Sequence, residues 1–335
     1  MNKVYDVLGA GIAAVDDLCY VSAFPPVDCK IPVHSSIRQG GGPACTAIAA
    51  VGSLGGSAAY AARFGDNDLS RYIKSALGRY GVDISHIVHD PTGGPYHSFI
   101  VVDGLGHRNV FYDPALYRVM GANDLPDSLI LSTKLFLLDH ITEPSLAEVA
   151  VKAHKLGIPI LGDIEGQTES SKALAALSDY LLVPKAFAAW ASDTADTRDS
   201  CAFLARTVRT ATVVTAGSEG CYLSTERDTS VRRIPAFKVE AFDTNGCGDT
   251  FHGAFALGVA RKLSVEEAIT FASAAAALKA IAGGGKRRGW DALPTLEEVF
   301  EFLQATLKEP ERSALLGNLE ALKNPARSSE AIKGF

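Results

Sequence analysis

No apolar run in the chain reaches the roughly 18 residues that a membrane-crossing helix requires, so nothing reads as a spanning segment. Basic residues are not in excess: 32 Lys and Arg stand against 38 Asp and Glu, for a net charge of −6. A nucleic-acid binder wants a basic face, and none is expected. The six cysteines (19, 29, 45, 201, 221 and 247) form no Cys-x-x-Cys pair and keep no metal-ligand spacing with histidine. That excludes a zinc site or a disulfide framework as an expectation, and the reducing cytoplasm is the simplest home. The opening Met1–Asp6 runs almost directly into a strand-like segment without a signal peptide's apolar core. There is no internal repeat and no low-complexity linker.

What is present is bulk and alternation. The chain has 335 residues, 47% of them hydrophobic, enough for one large α/β domain or two smaller ones. From residue 135 onward, short apolar runs at 135–138, 158–161, 180–183 and 212–215 alternate with helix-like stretches at 145–156, 172–177 and 198–208. Such spacing predicts right-handed crossovers and a parallel sheet covered on both faces. Earlier, Ser98–Asp103 and Arg108–Tyr112 flank a Gly-rich turn and predict a hairpin. Helices are expected over 264–280 and 295–307, with Gly283–Gly285 as a turn between them. Leu315, Leu316, Leu319 and Leu322 keep helical spacing near the end.

The stretch with most chemistry in it is Ala241-Phe-Asp-Thr-Asn-Gly-Cys-Gly-Asp-Thr-Phe-His-Gly-Ala254. Its first half reads as a turn and its second as a buried helix. A Gly-rich turn opening a helix collects free N–H groups and the positive end of the helix dipole, which makes an anion site. Asp249, in the first helical turn, is then either ordinary capping chemistry or a general base beside a bound phosphate.

Asp243-Thr244-Asn245-Gly246-Cys247-Gly248-Asp249 resembles the Asp-Thr-x-Gly-Ala-Gly-Asp signature of the ribokinase (PfkB) family of sugar and nucleoside kinases, departing from it at Cys247. The resemblance covers about residues 4–305. It implies a three-layer ribokinase-like α/β fold with a mostly parallel central sheet and a small β-sheet lid. It also implies ATP and Mg²⁺, a monovalent cation as a further candidate cofactor, and a homodimer formed through the lid. The lid is expected from about 15–37 and 96–113 within a kinase domain spanning 1–305. Residues 306–335 are expected to form a helical extension and tail, with 328–335 left unassigned.

The site residues implied by the resemblance follow motif by motif. Asp249 would be the base, and Gly246, Cys247 and Gly248 with Asp249's own amide would form the anion hole. Gly40-Gly41-Gly42-Pro43-Ala44-Cys45-Thr46 resembles the substrate motif, with Thr46 where Asn is usual, so Gly41, Gly42 and Thr46 join Asp16 as substrate ligands. Asp17 faces away from Asp16 if both lie on one strand. Lys30, Arg38 and Arg108 are candidate lid cations for an acidic or phosphorylated sugar. On the nucleotide side stand Thr215, Gly217 and Gly220, with Thr244, Ala276 and Gly284. The Asn-x-x-Glu motif that many relatives use around Mg²⁺ is missing at 182–188, so Asp163 and Glu165 are the candidates to hold the metal through water. Cys247, at a helix N-terminus, is expected to have a lowered thiol pKa.

The Gly40–Ala44 opening and the Phe251–Ala254 run resemble relatives acting on sulfofructose and similar ketoses, so a ketose is the expected substrate. Two other readings stay open. One is a nucleoside kinase on the same fold. The other is an NAD- or FAD-dependent oxidoreductase built on Gly9-Ala10-Gly11-Ile12-Ala13-Ala14, which imitates a dinucleotide fingerprint.

Overall fold

The computed structural model describes residues 4–139 and 145–323. Fourteen strands and eleven α-helices are assigned among them. The first part of the chain gives β1 (Tyr5–Ala10), β2 (Ala14–Tyr20), β3 (Ser35–Gly41), α1 (Pro43–Ser53), β4 (Ala58–Ala61), β5 (Arg63–Phe64), α2 (Asp68–Arg79) and β6 (Val88–His89). Then come β7 (Tyr96–Val102), β8 (Arg108–Asp113), α3 (Asp127–Leu131), β9 (Thr133–Asp139), α4 (Ser145–Lys155), β10 (Ile160–Asp163) and α5 (Glu169–Ala176). The rest is β11 (Tyr180–Pro184), α6 (Lys185–Ser192), α7 (Thr197–Leu204), β12 (Ala211–Thr215), β13 (Cys221–Thr225), β14 (Arg232–Ile234), α8 (Cys247–Ala260), α9 (Val265–Gly285), α10 (Leu296–Thr306) and α11 (Glu311–Lys323).

Eight strands form one sheet in the order β14-β13-β12-β11-β10-β9-β1-β4. From β12 to β4 every pairing is parallel, and only β13 and β14 run antiparallel at one edge. The parallel strands are buried on both faces, which is why they read as unbroken apolar runs. One core, carrying Ile48, Phe255 and Phe271, lies under α1, α8 and α9. The other, carrying Phe136, Leu146 and Phe187, lies under α3 to α7. This is the expected three-layer α/β architecture.

The expected lid is a separate four-stranded sheet, β3-β2-β7-β8. Its outer side exposes Phe99 and Phe111, which pair across β7 and β8, while the neighbouring pair Ser98 and Tyr112 faces the body. β2 pairs antiparallel with β3 and parallel with β7, so Asp16 has Gln39 on one side and Ser98 on the other.

Several local expectations change. β1 is followed by β2 rather than by a helix, so Gly9–Ala14 does not have the strand-to-helix context that a dinucleotide fingerprint requires. The glycines there serve packing: a Cβ on Gly9 would meet Ile48, and one on Gly11 would lie 2.3 Å from Asp139 Oδ1. Asp139, at the end of β9, in turn accepts the main-chain N–H groups of Ile12 (2.7 Å) and Ala44 (3.1 Å), tying the β1–β2 connection to the start of α1. The turn expected at Gly283–Gly285 is the last part of α9 instead. The helix α6 was not expected at all. At the end, α11 packs on the body through buried Leu315 and Leu319, as their spacing suggests. Residues 328–335 lie outside the described residues. Among the described residues no helix is long and apolar enough to cross a membrane, and the six cysteines are free.

Candidate active site

A cavity of about 470 Å³ lies between the lid and the carboxyl ends of the parallel strands, where open α/β sheets place ligands. It is lined by residues brought together from β2, β3, the start of α1, β7, β8, the 244–249 turn and α9.

The sugar-side motif assembles around Asp16. Its carboxylate is 7% exposed and is held by Ser98 and Gln39. Burial raises its pKa, and those two hydrogen bonds oppose the rise. Gly41 passes so close that a Cβ would lie 2.2 Å from Asp16 Oδ2. Only glycine lets the strand and the carboxylate share this space. Gly42, at φ 85, caps α1. Asp17 points to the other face, where it takes a bidentate contact from Arg38 and one from His97. Strand alternation therefore separates the two aspartates as expected. Arg38 is thereby committed to Asp17, and Lys30 is exposed and is not among the cavity-lining residues. Of the three candidate cations on the lid, Arg108 alone lines the cavity, with Nη1 3.4 Å from Asn245 Oδ1.

The phosphate side is built by the start of α8. Gly246 adopts a left-handed conformation (φ 73) and caps the helix, which turns the following amides toward the cavity. Cys247 N–H is already spent on Thr244 O at 3.3 Å. Among the described residues, the amides of Gly246, Gly248 and Asp249 meet no acceptor. The anion hole is thus narrower than expected, since the Cys247 amide is engaged. Its thiol also departs from expectation: burial pushes the pKa up to about 11, against a smaller lowering by Lys279. Desolvation outweighs the pull of the nearby cations Lys279 and Arg108.

Asp249 stands at the cavity floor with its carboxyl pKa driven upward, by burial first and then by Asp163 and Glu165, while His252 opposes the shift. His252 follows three residues later on the same helix face. It is 2% exposed, with Nδ1 2.8 Å from Asp163 Oδ2, itself fully buried. The approach is close but misdirected, for neither group completes a hydrogen bond. It acts as charge compensation. Burial disfavours the imidazolium, yet Asp163 and then Asp249 and Glu165 raise its pKa on balance.

A model of the pfkB family of carbohydrate kinases matches residues 3–288. The chain belongs to the PfkB family. It is a carbohydrate kinase, a phosphotransferase. Among curated relatives, the ATP-dependent ribose-1-phosphate kinase of Halopiger xanaduensis is 27% identical over 89% of this chain and 97% of its own. The ribokinase of Haemophilus influenzae is 27% identical over 91% and 99%. A crystal structure from Agrobacterium tumefaciens, provisionally described as a ribokinase, superposes with a TM-score of 0.80 at 30% identity. That match covers 90% of this chain and 99% of the other. The fold is therefore ribokinase-like, and dinucleotide oxidoreduction is set aside.

In this kinase the expected nucleotide-side residues divide. Thr244 lines the cavity, but Thr215, Gly217, Gly220 and Ala276 do not, and the surroundings of Gly284 lie outside what the structure describes. Thr215 ends β12, two strands from Asp163 on the same edge of the sheet. Gly220 is required by packing, because a Cβ there would lie 2.0 Å from Ile234 O.

The metal candidates divide too. Glu165 is exposed and lines the cavity, whereas Asp163 faces His252 and is sealed from it. One donor atom each from Asp163, Asp249 and His252 lies within 4.8 Å of the others. An imidazole among them suits Mg²⁺ poorly, since Mg²⁺ takes oxygen ligands and keeps several waters.

Sequence reasoning missed Gln39, Lys279 and Trp290 at this site. Gln39 was findable, two residues before Gly41 on the same strand face. Lys279 and Trp290 carried no motif.

Proposed function

We propose that the protein transfers the terminal phosphoryl group of ATP to a hydroxyl of a sugar, with a ketose as the substrate class. The observation that carries this is one cavity holding both the Asp16 cluster and Asp249 beside unpaired helix amides. Asp16, with the backbone at Gly41 and Gly42 and the Thr46 side chain, holds the sugar hydroxyls. Asp249 accepts the proton of the attacking hydroxyl, a role worth about 10²–10⁴ in rate. The sugar oxygen bonds to the terminal phosphorus as the bond to the ADP oxygen breaks. The free amides of Gly246, Gly248 and Asp249 stabilise charge on the transferring group. Bound Mg²⁺ would supply charge neutralisation on the phosphates. Glu165, open to the cavity, would hold it through water, and Asp163 would serve His252 instead.

Arg108 favours a sugar bearing an acidic substituent, because it is the lid's own cation in the cavity. The exposed Phe99 and Phe111 on the outer side of the lid support a homodimer through that sheet, to be checked by sedimentation. The kinase reading is tested by ATP consumption coupled to product formation on ketoses, aldoses, their acidic derivatives and nucleosides, with Asp249→Asn alongside. Turnover on acidic ketoses that the variant loses supports it. A preference for nucleosides, or turnover unchanged in Asp249→Asn, overturns it.

A further inference from the structure

Lys279, on α9, is 1% exposed and yet is among the residues lining the cavity. Its ammonium donates to the main-chain carbonyl of Asn245 at 2.8 Å, and among the described residues it forms no ion pair. Taking an ammonium out of water without a counter-charge is costly. A chain that keeps one here has a use for the charge.

Its position says what that use is. The lysine stem runs beneath the cap of α8: a Cβ placed on Gly246 would lie 3.9 Å from Lys279 Cε. The ammonium therefore sits under the turn whose next amides, at Gly248 and Asp249, meet no acceptor. An ammonium has three donors, and one is used by Asn245. The same residue is touched from the other side, where Arg108 reaches its side-chain oxygen. Asn245 is thus the point at which the lid and α9 meet, with a cation on each flank.

We propose that Lys279 is the cationic wall of the anion hole, a catalytic residue that donates to the phosphoryl group as it passes from ATP to the sugar. The inference rests on the kinase reading above. As the sugar oxygen bonds to the terminal phosphorus and the ADP oxygen departs, negative charge spreads over the transferring oxygens. A fixed ammonium in a water-poor site stabilises that charge without having to reorganise. The bare amides alone supply only partial charges. Arg108 does not duplicate the role, because it comes from the lid and is exposed.

The test uses the full chain and a probe that needs no turnover. Binding of inorganic pyrophosphate is measured by calorimetry for wild type, Lys279→Met and Lys279→Arg, with thermal midpoints recorded. Lys279→Met keeps the apolar stem and removes the charge. The expected result is pyrophosphate binding at least tenfold weaker in Lys279→Met and largely kept in Lys279→Arg. In the kinase assay, kcat should fall about 10²–10³-fold in Lys279→Met, with sugar KM within threefold of wild type. Lys279→Ala should regain turnover with added methylammonium, which a merely structural brace would not permit. Pyrophosphate binding within twofold and kcat within threefold of wild type in folded Lys279→Met would overturn the assignment. So would a folded Lys279→Ala that binds pyrophosphate normally and is not rescued. Loss of pyrophosphate binding in Lys279→Met, with no sugar phosphorylated by wild type, would keep the anion site and remove the kinase reading.

Discussion

Trp290 donates its indole N–H to Thr46 Oγ1 at 3.1 Å, joining the segment after α9 to the first turn of α1. The ring is 3% exposed and lies against Gly40, where a Cβ would come within 2.5 Å of it. Thr46 stands where relatives are expected to carry Asn. Its hydroxyl here has a partner inside the protein as well as a place in the cavity wall. Trp290→Phe keeps most of the ring and deletes the donor. It should cost about 0.5–1.5 kcal/mol of stability and raise sugar KM more than it lowers kcat. Thermal melts and steady-state kinetics check both.

Gly41→Ala should act on the sugar side alone. The new methyl would collide with the Asp16 carboxylate and push it off position, and displacement of a positioning group by an ångström can cost about 10² in rate. Sugar kcat/KM should fall by that order while ATP affinity stays within a few-fold. Gly78→Ala on α2 is the control, since a Cβ there meets nothing within 4 Å. It should gain about 0.5–1 kcal/mol.

Asp6 predicts a pH dependence of stability. Its carboxylate is 5% exposed, 2.7 Å from Lys134 and 2.9 Å from Arg261. Burial opposes its charge, but contacts from Lys134, Arg261 and Ser57 lower the pKa on balance. A depressed folded-state pKa contributes stability above the unfolded value of about 4, and that contribution is lost as pH falls through the folded value. Asp6→Asn should therefore cost about 1.5–3 kcal/mol at pH 7. The gap from wild type should close in denaturant titrations carried below about pH 4.

Cys247 should be unreactive despite its place at a helix N-terminus. With the thiol pushed up to about 11, almost none is thiolate near neutrality. Iodoacetamide at pH 7.5 should label exposed Cys29 first and spare Cys247 whether or not ATP is present. Mass spectrometry of the peptides decides it. Rapid labelling of Cys247 that ATP blocks would contradict the burial argument.

Local pattern settled much of this protein before tertiary structure entered. Apolar runs too uniform for alternation marked the buried parallel strands, the Gly-rich turn before Asp249 marked a helix start with free amides, and strand alternation placed Asp16 and Asp17 on opposite faces. These depend on neighbours within a few residues, so the sequence displays them directly. What the pattern could not decide was every contact made across long separations. Gly11 looked like half of a dinucleotide fingerprint, but its bare Cα makes room for Asp139, 128 positions later. Cys247 looked activated by the dipole beside it, yet desolvation by the surrounding fold raises its pKa. Lys279 and Trp290 look unremarkable in the chain and reach the cavity only because α9 packs along α8 and the following segment returns to β3. Burial and charge pairing are properties of what surrounds a residue in space, and the folded chain alone supplies those surroundings.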